Sequence, residues 1–550
     1  MPTLPPDYGI DENQLDQNAD YAWSRPGGLI ERPGQMSDEP EAWLYCDRFS
    51  YSTHEKVSLK THTTASTYEI EVIKDGLEPR TVYLEHDLPG RQHATPKDAY
   101  AVGCDWPEAL SIQLDESWQP GFYLVVIRIK TSRGRPFERE GFFIVKPGEQ
   151  QASEADFLLI HATSTMLAYN DWGGANHYRG IEDGYQNDIP SPQSSTQRPI
   201  ARGMLRIPTN APRESIGDAI IGPNWTPRYA SLEYSWYFRY SRHYADAGWA
   251  TYERPFVVWA ENQGYKIHHI TQSDLHSDAR CLEGYKCAVS VGHDEYWSWE
   301  MRDHMDSFTE QGGCFARFGG NFCWQVRFDQ NMHTQTCYKD PTADPATKTN
   351  PTRCSTGWDF PPVNRPAAQT VGLTGFGGVY TRFGVAAPRS SGGFQVYRPA
   401  HWALEGTELF YGDMFGAHPV NICGFEVDGV DYTFRKGLPY PTGTDGASLD
   451  LEIVAMCPAV HGERDRWGGR EPIGGPLREA RGLFKVVFPD GPPEYLVDRE
   501  YGSGMVASVA KGQGQIFCAG TAEWVVGLIK KDFFTQKITT NVLDRFSGRQ

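Results

Sequence analysis

Residues 288–303, AVSVGHDEYWSWEMRD, run from an apolar stretch into His293, Asp294 and Glu295, followed by a tyrosine and two tryptophans. A carboxylate there can ligate a cation or take a proton, an imidazole can serve as ligand or base, and the aromatics can exclude water. The alternative is structural, with His and Asp capping the next helix while the aromatics pack. Two further apolar runs end in similar residues. After DFLLIHAT (156–163) come Tyr169, Asn170, Asp171, Trp172 and Tyr178, with Gly173-Gly174 allowing close backbone approach. After CFARFG comes Asn321. Three runs that each end in polar groups beside aromatics point to one shared pocket, because ligands of open sheets bind beyond the carboxyl ends of parallel strands.

The elements that must position these residues are short buried strands alternating with helices. DFLLIHAT, YKCAVSV and CFARFG read as strands. A helix over YERPFVVWAENQG stops at Gly264; another is capped by Ser298, carries Glu300 in its first turn, turns Met301, Met305 and Phe308 to one face and ends at Gly312-Gly313. GQGQIFCAGTAEW and QKITTNVLDRF supply a last strand and helix, so the sheet is completed after a β-rich excursion over about 325–505. Before this core, residues 42–147 alternate with period two in VSLKTHT, STYEIEVIK and FYLVVIRIKTS, which predicts an immunoglobulin-like β-sandwich. Residues 1–41 read as an irregular arm. The expected class is therefore an α/β core over 155–546, a parallel sheet with helices on both faces, behind an N-terminal sandwich.

Composition narrows the function. A net charge of −18 opposes nucleic acid and anionic membranes as partners. No apolar run is long enough to cross a bilayer, and the acidic, proline-rich start does not read as a signal peptide, so a cytoplasmic location is expected. Eleven cysteines without a CxxC pair suggest buried thiols.

AYNDWGG, VVWAENQGYKIHHITQSDLH, SVGHDEYWSWEMRD, FGGNFCWQVRF, CYKD and GTAEWVVGL…ITTNVLDRF together resemble the large subunit of N,N-dimethylformamidase and its relatives, over residues 155–546. The resemblance implies a core like that of class I glutamine amidotransferases without their cysteine nucleophile. It implies a mononuclear Fe(III) site and hydrolysis of a small N-substituted formamide to formate and an amine. By motif match Glu295 and Tyr169 are metal ligands, and His293, Asn321, Lys339 and Glu426 complete the catalytic shell. The family's second tyrosine lies in an Arg-Pro-Tyr context. The segment MLRIPTNAPRES has no tyrosine, so Tyr229, Tyr234 or another residue of RYASLEYSWYFRYSRHY substitutes, or the site is three-coordinate in a different way, or it is metal-poor. An oligomer, with a small second subunit as those enzymes carry, is expected. Two other readings remain: hydrolysis of another small amide, and a non-catalytic carbohydrate-binding protein whose sixteen tryptophans stack on sugars.

Overall fold

The computed structural model describes residues 30–34, 40–130, 136–148, 151–182, 185–187, 189–209, 240–377, 393–423, 426–460 and 501–549, with isolated positions between 211 and 238 and at 491. Most of the expected N-terminal arm, and Tyr229, lie outside the described residues.

Two sheets precede the site. Ala42–Cys46, Lys56–Thr63 and Glu108–Gln113 make one of three strands; Ser50–Tyr51, Pro136–Val145, Gly121–Lys130, Thr67–Asp75 and Arg80–Pro89 make one of five, in that spatial order. Side chains alternate across the strand Gly121–Lys130, as the period of two requires. Tyr123, Val125, Ile127 and Ile129 share a core with Leu44, Leu59 and Ile112 of the smaller sheet. Phe122, Leu124 and Val126 turn the other way and join the core of the following residues, where Phe122 stacks on Trp249 at 4.0 Å between ring centroids. Burial on both faces explains why FYLVVIRI is apolar almost throughout.

The sheet that carries the site corrects the expected fold. Among the described residues it has nine strands in the order Ile267–Thr271, Phe157–His161, Cys287–His293, Cys314–Gly320, Gly514–Cys518, Tyr501–Lys511, Glu452–Val460, Phe394–Val396 and Met414–Phe415. The first five pair in parallel and the rest antiparallel. The chain is thus predominantly β, with mixed and antiparallel sheets, and not a parallel α/β core with helices on both faces. Connection length is the reason. Tyr501–Lys511 and Gly514–Cys518 are separated only by Gly512 and Gln513, with Gly512 at φ 58°, and two residues can join only antiparallel neighbours.

The helix after HDEYWS spans Trp299–Glu310, and the Ser298 hydroxyl accepts the Met301 N–H as its cap. Its Met301 and Met305 are buried with Leu158, Ile160, Ala288 and Phe315. The helix Arg254–Asn262 ends just before Gly264, which adopts φ 80°. All eleven cysteines are free thiols. Among the described residues no helix is long and apolar enough to cross a membrane.

Candidate functional site

His293 closes the strand Cys287–His293, and two residues later Glu295 faces the same side. Asp294 turns away: its Oδ1 accepts the Trp297 indole N–H at 2.7 Å and the Gln272 amide at 3.0 Å, so the middle carboxylate of the trio is a strut. The strand end passes so close to Tyr252 that a Cβ on Gly292 would lie 2.3 Å from that side chain, and Gly292 also needs its φ of 76°.

Glu295 is the centre of the cluster and fully buried. Its Oε2 accepts the Tyr169 hydroxyl at 3.1 Å and its Oε1 accepts the Trp324 indole N–H at 2.7 Å. The Tyr178 hydroxyl lies 3.2 and 3.1 Å from the two oxygens, and 2.5 Å from the Tyr296 hydroxyl. His293 Nε2 sits 3.2 Å from Glu295 and 2.5 Å from Glu426. Asn321 Nδ2 donates to Glu426 at 2.5 Å, while its Oδ1 accepts the Cys323 thiol at 3.0 Å. Lys339 places its ammonium 3.4 Å from the Tyr178 ring centroid and 5.2 Å from that of Trp324. Asn321, Lys339 and Glu426 all take left-handed backbone, with φ of 67°, 61° and 42°. For Lys and Glu that conformation is uncommon, and strain of this kind concentrates at functional sites.

Burial opposes charge on His293, but the Glu426 and Glu295 carboxylates outweigh it and hold its pKa well above the ordinary histidine range. Burial likewise works against an ionised Glu295, yet His293, Lys339 and Trp324 keep its pKa below the usual value. The Tyr169 phenol is pushed well up, first by burial and then by Glu295. His293 Nδ1 faces the Asp246 carbonyl at 2.7 Å. A carbonyl only accepts, so Nδ1 carries a proton and Nε2 is the atom that exchanges one.

All six residues singled out in the sequence therefore meet here: Tyr169, His293, Glu295, Asn321, Lys339 and Glu426. Tyr234 is elsewhere, in an aromatic cluster with Tyr240 and Tyr244. Tyr178 as a neighbour of Glu295, Trp324 as its indole donor and Tyr296 beside Tyr178 were not foreseen in these roles. Trp324 opens the strand Trp324–Phe328 and Tyr178 lies in no regular element, so no periodic pattern points either side chain at Glu295. His293, Glu295 and Glu426 can each offer one atom within a sphere where these atoms lie within 4.8 Å of one another, so a cation would fit among them. With two phenols alongside, the donors are mainly hard oxygens, which suit a hard cation.

Fold and site define a protein that keeps a buried cluster of carboxylates, phenols and an imidazole beyond the ends of parallel strands in a mixed sheet. Residues 73–537 match the family described as N,N-dimethylformamidase beta subunit-like, C-terminal, and the chain belongs to that family. No protein of curated function matches the chain. Among solved structures, the sporulation control protein Spo0M from Bacillus subtilis aligns at 9% identity over 23% of this chain and 55% of its own, with a TM-score of 0.16. Murine CRIg aligns at 14% identity over 19% of this chain and 96% of its own, with a TM-score of 0.14. A superoxide reductase from Ignicoccus hospitalis aligns at 10% identity over 20% of this chain and 83% of its own, with a TM-score of 0.13. Likenesses this slight carry no argument about fold or function.

Proposed function

We propose that this chain is a metal-dependent amidohydrolase that cleaves a small N-substituted formamide, such as N,N-dimethylformamide, to formate and an amine. The observation that carries the reading is the hydrogen bonding of Glu295 by Tyr169 and Trp324 beside the His293–Glu426 pair. Membership of the N,N-dimethylformamidase beta subunit-like family supports the substrate class, and the word subunit in that description supports assembly with a second chain.

Glu295 and Tyr169 would hold a mononuclear ferric ion, which when bound polarises a carbonyl oxygen and acidifies water. The chain's own residues move the protons. Glu426, held by Asn321, accepts one proton from the attacking water, and His293 delivers one to the departing nitrogen. The new C–O bond thus replaces the C–N bond without a charged amide nitrogen having to leave. Lys339 balances the negative charge of the phenol and carboxylate side.

The test is iron content and formate release for the purified protein and for Glu295→Gln. The substitution is nearly isosteric and deletes a ligand charge, so both iron and activity should be lost with the fold kept. A wild-type protein that holds iron and hydrolyses no formamide overturns the substrate, and a variant that keeps iron overturns the ligand assignment.

A further inference from the structure

We propose that Cys323 is a positioning residue, whose thiol fixes which end of the Asn321 amide faces Glu426. The inference rests on the hydrolytic reading above, in which Glu426, held by Asn321, takes a proton from the attacking water.

Asn321, Phe322 and Cys323 are the three residues between the strands Cys314–Gly320 and Trp324–Phe328. Phe322 packs on Trp297, at 5.3 Å between ring centroids, while the side chains on either side of it meet each other. The backbone of this turn is tied at both ends. The Asn321 N–H donates to Asp428 at 2.6 Å, the Cys323 N–H donates to the Glu295 carbonyl at 3.3 Å, and the Cys323 carbonyl accepts the Trp358 N–H at 3.0 Å. Gly375 closes over both side chains: a Cβ there would lie 2.3 Å from the Cys323 sulfur and 3.0 Å from Asn321 Oδ1.

The amide itself is the freedom that remains. The torsion joining an asparagine Cβ to its amide is broad and roughly two-fold, so oxygen and nitrogen can exchange places unless their partners differ. Here they differ. Nδ2 donates to Glu426 at 2.5 Å and lies 3.2 Å from His293 Nε2, whereas Oδ1 accepts the Cys323 thiol at 3.0 Å. Turned over, the amide would set its oxygen against the Glu426 carboxylate and its nitrogen against the thiol proton, and both bonds would be lost among buried groups. Of the two partners only the thiol is constant through the reaction. A Glu426 that has taken up a proton can donate as well as accept, so it no longer selects the nitrogen end. Cys323 goes on donating to Oδ1 and keeps Nδ2 aimed at Glu426 for the next turnover.

The experiment measures formate release from N,N-dimethylformamide by the full-length protein, at equal iron content, for wild type, Cys323→Ser and Cys323→Ala. Serine and alanine give up nearly the same volume, and only serine keeps a donor. Cys323→Ala should lose about tenfold in kcat, the rate equivalent of one hydrogen bond, with KM changed by less than about twofold. Cys323→Ser should stay within about threefold of wild type. Equal losses in the two variants would mean that the sulfur only fills space, which overturns the inference and leaves the hydrolytic reading standing. A second measurement needs no turnover and uses the infrared thiol-stretching region. The band that disappears in Cys323→Ser should move to higher frequency in Asn321→Gly, a change that removes the acceptor and tolerates the φ of 67°. A band that stays in place overturns the inference. Wild-type protein that holds iron and releases no formate overturns the hydrolytic reading and the inference with it. Should the Cys323 variants not fold, the infrared difference between wild type and Asn321→Gly decides: one thiol band shifts upward, or the inference falls.

Discussion

The backbone N–H of Asn321 donates to the Asp428 carboxylate at 2.6 Å, and the same oxygen accepts the Phe322 N–H at 3.2 Å. The other Asp428 oxygen accepts from Arg317, a fully buried guanidinium on the strand Cys314–Gly320. Arg317 also donates to the Asp294 carbonyl at 2.9 Å and the Gly319 carbonyl at 3.3 Å. One ion pair therefore pins three chain segments, each within two residues of a site residue: Asp294 between His293 and Glu295, Gly319 before Asn321, and Asp428 after Glu426. Asn321, whose N–H the pair holds, and Glu426, two residues before Asp428, both take left-handed backbone.

Removing one partner of such a pair leaves an uncompensated buried charge. Arg317→Met is expected to lose about 3–5 kcal/mol of stability, measured by denaturant unfolding, and Arg317→Met with Asp428→Leu should recover part of it. A loss below about 1 kcal/mol in the single variant would place the constraint elsewhere.

What the sequence discloses follows from how local each signal is. The strands ending at His161, His293 and Gly320 are visible because a strand buried on both faces is a continuous apolar run. The helix from Trp299 is visible because Ser298 and Glu300 mark its start. The antiparallel half of the sheet is harder to see. Phe394–Val396 and Met414–Phe415 are very short strands with no period to detect, and Gly512-Gln513 passes for one more glycine-rich loop position. Glu426 and Lys339 lie in no regular element, and the family resemblance marks them where periodicity cannot. Tyr178 is set by Asn176, whose Oδ1 accepts the Tyr178 N–H and whose Nδ2 donates to the Tyr169 carbonyl, a side-chain to backbone arrangement without a sequence period.

The second prediction separates proton transfer from metal binding. His293 Nδ1 is committed to a carbonyl, and Nε2 lies between two carboxylates, so His293→Ala removes a proton carrier and leaves the oxygen donors in place. Turnover should fall by about two to four orders of magnitude with iron retained. Iron lost together with activity would make His293 a ligand.

A third concerns pH and Glu253, whose carboxyl is pushed up to about 7, first by burial and further by Asp294, against hydrogen bonds from its own and the Ala162 N–H. A folded pKa above the unfolded one means that the folded state binds more protons between the two values. Stability from this group is therefore fully present below about pH 4.5 and is lost as pH rises through about 7. Glu253→Gln cannot ionise. Its stability relative to wild type should improve by roughly 3 kcal/mol between about pH 4 and pH 9. Parallel unfolding curves at the two pH values test this, and a constant difference would show that Glu253 ionises normally in the folded protein.

The last prediction is about the acyl group. Glu295, Tyr169, His293 and Asn321 are all buried, and the Trp324 indole donates to Glu295, so in the proposed reaction the reacting carbon has to approach a crowded, buried centre. A formyl carbon carries only hydrogen on its open side, which leaves room for the attacking water next to Glu426. An acetyl carbon carries a methyl group there, which both obstructs that approach and lowers the electrophilicity of the carbon. N-methyl groups on the nitrogen sit away from the attack and need only apolar contact. N,N-dimethylformamide should therefore be hydrolysed much faster than N,N-dimethylacetamide, by about two orders of magnitude or more in kcat/KM, since crowding at the reacting atom acts on the transition state directly. The measurement is amine release from a panel of formamides, acetamides and ureas at equal metal loading. Comparable rates on both acyl types would mean that the buried cluster does not select at the acyl carbon, and the assignment to formamides would fall while the metal site could stand.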